Sequence, residues 1–160
     1  MAGCCSSEAA PADLARRGIR AHGRRVAGVR AVTYALDTHA LVFWANREHL
    51  SDEFAGFLDE RAQQGELVVS TVCFWEIALL AKKGRLALDD VRQWKDDLAA
   101  RSGILLVEPT VDEMIASTLL PDLHKDPFDR LLVAQAESRG HTLVTRDALV
   151  SQYDVETVWG

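Results

Sequence analysis

From Val32 onward, short apolar runs alternate with stretches of 10 to 15 residues whose apolar positions recur every three or four. This is the pattern of a parallel sheet wrapped by helices, an α/β sandwich. The first strand is expected over Thr33 to Asp37, and the helix after it over Thr38 to Asn46. A second helix starts after Ser51, with Asp52 and Glu53 in its first turn, and ends at Gly65. Strand two is Leu67 to Ser70, followed by a helix from Thr71 to Lys83 that Gly84 stops. Asp89 to Arg101 carries Val91, Trp94 and Leu98 at helical spacing, Ile104 to Val107 is strand three, and Val111 to Leu119 is another helix. Pro127 opens a helix that Gly140 closes; strand four covers Thr142 to Thr145, and Val155 to Val158 reads as an edge strand.

The 160 residues fit one domain, and 48% hydrophobic with 26% charged residues is ordinary for a globular chain. No apolar run approaches the length needed to cross a bilayer. Three cysteines, Cys4, Cys5 and Cys73, can build neither a disulfide framework nor a CxxC metal site, which points to a reducing, cytoplasmic home.

Charge divides the chain. Residues 1–33 hold six arginines against Glu8 and Asp13, a net of +4, so the remainder carries −10. The Arg-rich stretch, residues 1–32, is expected to be a disordered extension, with the folded domain spanning 33–160. It has the character of a transit peptide or a nucleic-acid arm, and lacks the apolar core of a secretory signal. A body at −10 repels phosphate, so any role on RNA or DNA calls for bound cations or local basic residues.

Four acids stand in apolar surroundings. Glu76 is the single charge within residues 72–81, expected to face inward in line with Val72, Leu79 and Leu80. Asp37 ends the first strand, where open parallel sheets place ligands. Asp129 heads the apolar stripe of Leu132, Val133 and Ala136, and Asp147 follows strand four. Each has a plainer explanation. Asp37 and Asp147 can be helix caps, Asp129 the acid at the N3 position of a capping box with Asp126 as its N-cap, and Glu76 the partner of Arg130 or Arg146. Gathered together, the acids are harder to explain that way. Two carboxylates about 4 Å apart repel by roughly 4 kcal/mol at an effective dielectric near 20, unless a cation sits between them. Mg²⁺ or Mn²⁺ fits an all-oxygen set, and no His/Cys cluster competes for zinc. His39 and His124 are read as packed or hydrogen-bonded, not as ligands. Carboxylate-held ions of this kind support phosphodiester hydrolysis. Lys125, Arg130 and Arg146 are candidates to hold phosphates.

The segments LDTHALVFW, STVCFWEIALLAKKGRL, LHKDPFDRLLVAQA and LVTRDALV, each with one acid, together resemble a PIN domain of the kind found in VapC-like toxins of type II toxin–antitoxin pairs. The resemblance spans Thr33 to Trp159. It implies a three-layer α/β/α domain whose acidic pocket binds Mg²⁺ or Mn²⁺ and cleaves RNA, commonly tRNA, rRNA or mRNA. It also implies a homodimer, and inhibition by a small antitoxin whose C-terminal segment occupies a groove. By motif, Asp37, Glu76, Asp129 and Asp147 match the family's acids, with Asp37 and Asp129 as the foremost metal ligands and Asp126 a helix cap. Thr38 and Thr145 stand beside two of the acids as further candidates to contact carboxylates, metal water or substrate.

Two rivals remain: a DNA nuclease with the same metal chemistry, and a non-catalytic RNA-binding module. A phosphoacceptor receiver domain fails on residues, because Thr38 stands where it needs a second acid and Thr145 and Arg146 where it needs a lysine.

Overall fold

The computed structural model describes residues 32–160; the Arg-rich residues 1–31, and with them the expected disorder, lie outside the described residues. The elements run β1 (Tyr34–Leu36), α1 (Thr38–Asn46), α2 (Asp52–Gln63), β2 (Leu67–Ser70), α3 (Thr71–Lys82) and α4 (Val91–Ser102). They continue with β3 (Leu105–Val107), α5 (Val111–Leu119), α6 (Pro127–Arg139), β4 (Thr142–Val144) and β5 (Thr157–Val158). A 3₁₀ turn at Val150–Gln152, which the periodicity does not announce, precedes β5.

The five strands form one sheet in the order β3-β2-β1-β4-β5, with every pairing parallel. Helices flank it in a three-layer α/β/α arrangement. The strands at the centre read as continuous apolar runs because both of their faces are covered. All four residues of β2 are buried, as are Leu36, Leu143 and Val144. Leu41, Leu58, Ile77 and Val133 close on them from α1, α2, α3 and α6, each fully buried.

Local chemistry sets the helix ends. Ser51 accepts the Phe54 amide at the start of α2, and Thr110 with Glu113 forms a capping box on α5. Gly103 turns the chain from α4 into β3 at φ 75°, where a β-carbon would lie 2.9 Å from the Ala62 carbonyl oxygen. Only glycine fits that approach.

The chain leaves β1 for β2 and β3 on one side, then returns to place β4 on the other side of β1. The strand order therefore reverses between β1 and β4, and the crevice at their C-terminal ends is where such sheets bind ligands. Among the described residues no helix is long and apolar enough to cross a membrane.

Candidate active site

Asp37 leaves β1 directly into that crevice. Its backbone N–H donates to the Val144 carbonyl of β4 at 3.2 Å, and its Oδ1 caps α1 by accepting the Ala40 amide at 2.6 Å. The residue is only 7% exposed. Burial pushes its carboxyl above the usual aspartate range, against the amide of Ala40 and the hydroxyl of Thr145, which favour the charge. Capping is thus real, and it leaves the second carboxylate oxygen for other work.

Glu76 faces inward: at helical spacing it falls between Val72 and Cys73, both buried on α3, and away from the exposed Trp75. It is half-buried there, as Leu79 and Leu80 are, and its Oε2 accepts the hydroxyl of the buried Thr38 at 2.5 Å. Neither Arg130 nor Arg146 is its partner among the described residues. Burial raises its pKa first, Thr38 opposes that, and the charges of Asp126 and Asp37 raise it further.

Asp129 lies in the first turn of α6. Burial lifts its carboxyl to about 6; His124 opposes the rise, and Asp126, Glu76 and Asp37 add to it. The charge of Asp37 is thus felt at Glu76, and those of Glu76 and Asp37 at Asp129, so the three carboxyls lie near one another. The capping-box explanation for Asp129 does not hold. Asp126 does cap α6, its Oδ1 accepting the Phe128 amide at 2.9 Å, but its own N–H donates to His124 Nδ1 at 3.0 Å and not to Asp129. Asp147 follows β4 on a loop. Its Oδ1 accepts the Leu149 amide at 2.7 Å, and its Oδ2 lies 3.2 Å from His124 Nε2.

His124, read from the sequence as packed or hydrogen-bonded, is hydrogen-bonded, and one of its partners is a site acid, which the sequence did not disclose. Its Nε2 stands 3.3 Å from Asp129 Oδ2 as well, so one imidazole bridges two of the four acids. His124, Asp129 and Asp147 each offer an atom within 4.8 Å of the others. The one available signal was local: a histidine two residues before a helix-capping aspartate can accept that residue's amide.

The remaining candidates separate by exposure. Thr38 and Thr145 are 2% and 3% exposed; Thr38 holds Glu76, and the Thr145 hydroxyl accepts the Asp147 amide at 3.0 Å. Both are bonded to acids of the candidate site. Arg130 is committed elsewhere, and its role as a phosphate holder is withdrawn on that ground. Its guanidinium donates to the carbonyls of Ser117, Pro121 and Leu120 at 2.8 to 3.1 Å, and to that of His124 at 3.3 Å, closing the C-terminal end of α5. Arg146 is exposed, with its guanidinium 4.6 Å from the centre of the Phe43 ring, and Lys125 is exposed beside the acids. His39 is exposed on α1, and its charge favours ionised Asp37.

An oxygen-rich set held together against its own repulsion suits a hard divalent cation. Asp37, Asp129 and Glu76 offer it carboxylates raised chiefly by burial, with neighbouring acids adding to the rise at Glu76 and Asp129.

Comparison with known proteins accords with this geometry. The sequence model of the PIN domain matches residues 34–156. Ribonuclease VapC22 of Mycobacterium tuberculosis is 32% identical over 116 residues, covering 72% of this chain and 87% of that protein. Among solved structures, VapBC2 from Rickettsia felis bound to a promoter DNA fragment superposes with a TM-score of 0.62 at 17% identity, covering 81% of this chain and 100% of that one. DNA-bound VapBC from Salmonella typhimurium gives a TM-score of 0.59 at 14% identity, covering 79% and 97%. With a parallel sheet, an acid-lined switch point and a family match across nearly the whole folded unit, the chain belongs to the PIN domain family.

Proposed function

We propose that this protein is a metal-dependent endoribonuclease that hydrolyses RNA phosphodiester bonds and acts as the toxin of a type II toxin–antitoxin pair. The observation that carries the reading is the proximity of Asp37, Glu76 and Asp129 near the β1/β4 switch point: each carboxyl is raised, first by burial, the charge of Asp37 is felt at Glu76, and those of both are felt at Asp129. The ribonuclease relative at 32% identity supports RNA as the substrate.

Asp37 and Asp129 would hold Mg²⁺ or Mn²⁺, with Glu76 and Asp147 completing the pocket. A divalent ion bound there supplies an activated water and offsets charge on the phosphate oxygens. The protein's own residues do the rest. The α1 cap fixes the rotamer of Asp37, Thr38 fixes Glu76, and Thr145 fixes the loop that bears Asp147. Lys125 and Arg146, exposed at the rim, supply the local positive charge that draws a phosphate backbone toward an acidic body.

Two surfaces suit protein partners. A groove of about 500 Å³ between α1, α2 and α4 is lined by Trp44, Trp94 and Leu98, with Arg47 and Arg101 at its rim. It suits an antitoxin segment, and the VapBC structures lend weight to such a partner. On α5, Val111, Met114, Ile115 and Leu119 present an apolar stripe that is 46 to 79% exposed, suited to a second copy in a homodimer.

The test is incubation of antitoxin-free protein with total RNA in Mg²⁺, Mn²⁺ or EDTA, beside Asp129→Asn prepared identically. Discrete fragments that require both metal and Asp129 are expected. RNA bound without turnover would favour a binding module instead.

A further inference from the structure

His124 is fixed on every side. Its backbone N–H donates to the Tyr153 hydroxyl at 2.9 Å, its carbonyl accepts from Arg130 Nη1 at 3.3 Å, and its side chain is 13% exposed. Tyr153 in turn donates to the Pro121 carbonyl at 3.1 Å. The tautomer follows from the Asp126 amide: a ring nitrogen that accepts an N–H at 3.0 Å has a free lone pair, so the ring proton sits on Nε2. Nε2 lies 3.2 Å from Asp147 Oδ2, to which it hydrogen-bonds, and 3.3 Å from Asp129 Oδ2.

We propose that His124 is the positioning residue of the acid pocket: its Nε2–H, shared between Asp129 and Asp147, draws Asp147 in from the loop after β4 and sets both carboxylates for a cation. This rests on the nuclease reading above. Thr145 holds the backbone of Asp147, but among the described residues the Asp147 carboxylate itself is bonded besides His124 only to the Leu149 amide of its own loop, and its side chain is 39% exposed. His124 also takes the Asp126 amide, the group a capping box would have assigned to Asp129. It thereby frees Asp129 from capping. His124 itself is not a ligand in this arrangement. Ligation through Nε2 would need the proton on Nδ1, head-on to the Asp126 N–H. The role is that of an outer partner that orients ligands, and loss of such partners typically lowers metal affinity about 10- to 100-fold.

The two amide side chains separate the functions of the ring, because glutamine can present an N–H near the Nε2 position and asparagine an oxygen near the Nδ1 position. Mn²⁺ affinity of the full chain is read by the electron paramagnetic resonance signal of free Mn²⁺, without RNA. His124→Asn is expected to weaken binding about tenfold or more, and His124→Gln to recover most of that loss. Asparagine binding as tightly as the parent, or glutamine failing as badly as asparagine, would overturn the proposal. Insensitivity of Mn²⁺ binding to Asp129→Asn would overturn the metal site itself and this role with it, whereas sensitivity to Asp129→Asn but not to His124→Asn would remove only the role of His124. Should neither His124 variant fold, imidazole ¹⁵N shifts of the parent decide: a proton on Nε2 supports the proposal, and a proton on Nδ1 refutes it.

Discussion

Glu113 and Asp129 are both acids drawn out of water in the first turn of a helix, α5 in one case and α6 in the other, yet their environments push them in opposite directions. Glu113 is 5% exposed between α5 and α6, and four donors meet it: Arg139 Nε at 2.6 Å, Arg139 Nη2 at 2.8 Å, Ser138 Oγ at 2.7 Å and the Thr110 amide at 2.8 Å. Its carboxyl is held down at about 2. Asp129 has one nearby opposing group, His124, and three acids against it, and it rises to about 6. Burial alone therefore does not mark a functional carboxylate. What marks it is burial that the fold leaves uncompensated, since a structural acid comes with its cation and a site acid waits for one.

The largest test of this contrast removes the compensation. Arg139→Leu leaves Glu113 buried without its guanidinium and is expected to cost about 3 to 5 kcal/mol, read by chemical denaturation. Arg146→Leu, which removes an exposed cation stacked on Phe43, should cost far less. Equal losses would mean that the Glu113–Arg139 pair is ordinary surface charge.

Supplying the missing cation should have the converse effect on the pocket. Mn²⁺ at about one hundred times its dissociation constant stabilises the folded state by about 2.7 kcal/mol through mass action. The rise in melting temperature should disappear in Asp37→Asn/Asp129→Asn and persist in Arg139→Leu. A shift that survives the double variant would place the ion elsewhere.

The two acids also titrate in opposite senses. Glu113, lowered from 4.5 to about 2, contributes stability that is present above pH 4.5 and lost as pH falls toward 2. Asp129, raised from 3.8 to about 6, is more protonated when folded, so its contribution is present below 3.8 and lost as pH rises through 6. Metal-free protein should therefore lose on the order of 1 kcal/mol from Asp129 between about pH 5 and pH 7.5, measured in EDTA. Asp129→Asn should flatten that slope. An unchanged slope in the variant would mean that Asp129 ionises freely.

How much of this the sequence discloses depends on how far apart the partners lie along the chain. The α-helices and strands, though not the 3₁₀ turn at Val150–Gln152, are announced by local punctuation: Pro127 and Gly140 bracket α6, and Thr71 to Lys83 anticipates α3 to within one residue. The strand-end positions of Asp37 and Asp147 follow from the same punctuation. The order of the strands does not, because the pairing of β4 with β1 is set by packing across more than a hundred residues. Glu113 reads as an ordinary first-turn acid until Arg139, 26 residues later, is seen to reach it. His124 divides the same way. Its bond to the Asp126 amide is local and could be read from the motif, whereas its hold on Asp147 crosses 23 residues and could not. Arg130 misleads because a cation next to a site acid resembles a phosphate holder, and only the fold brings the carbonyls of α5 within its reach.

The smallest effect is the most discriminating for Asp37, whose Oδ1 caps α1 while its other oxygen is the one proposed to serve the pocket. Asparagine keeps an acceptor for the Ala40 amide and removes the charge; alanine removes both. In metal-free protein Asp37→Asn should match or exceed the parent in stability, because burial already opposes its charge, while Asp37→Ala should fall below Asp37→Asn by about 1 kcal/mol for the lost cap. Both should lose RNA cleavage completely. Equal stability of the two variants would mean that α1 starts without its cap. Cleavage retained by Asp37→Asn would mean that the charge is not needed, and would leave Asp37 as a helix cap, the plainer of its two explanations.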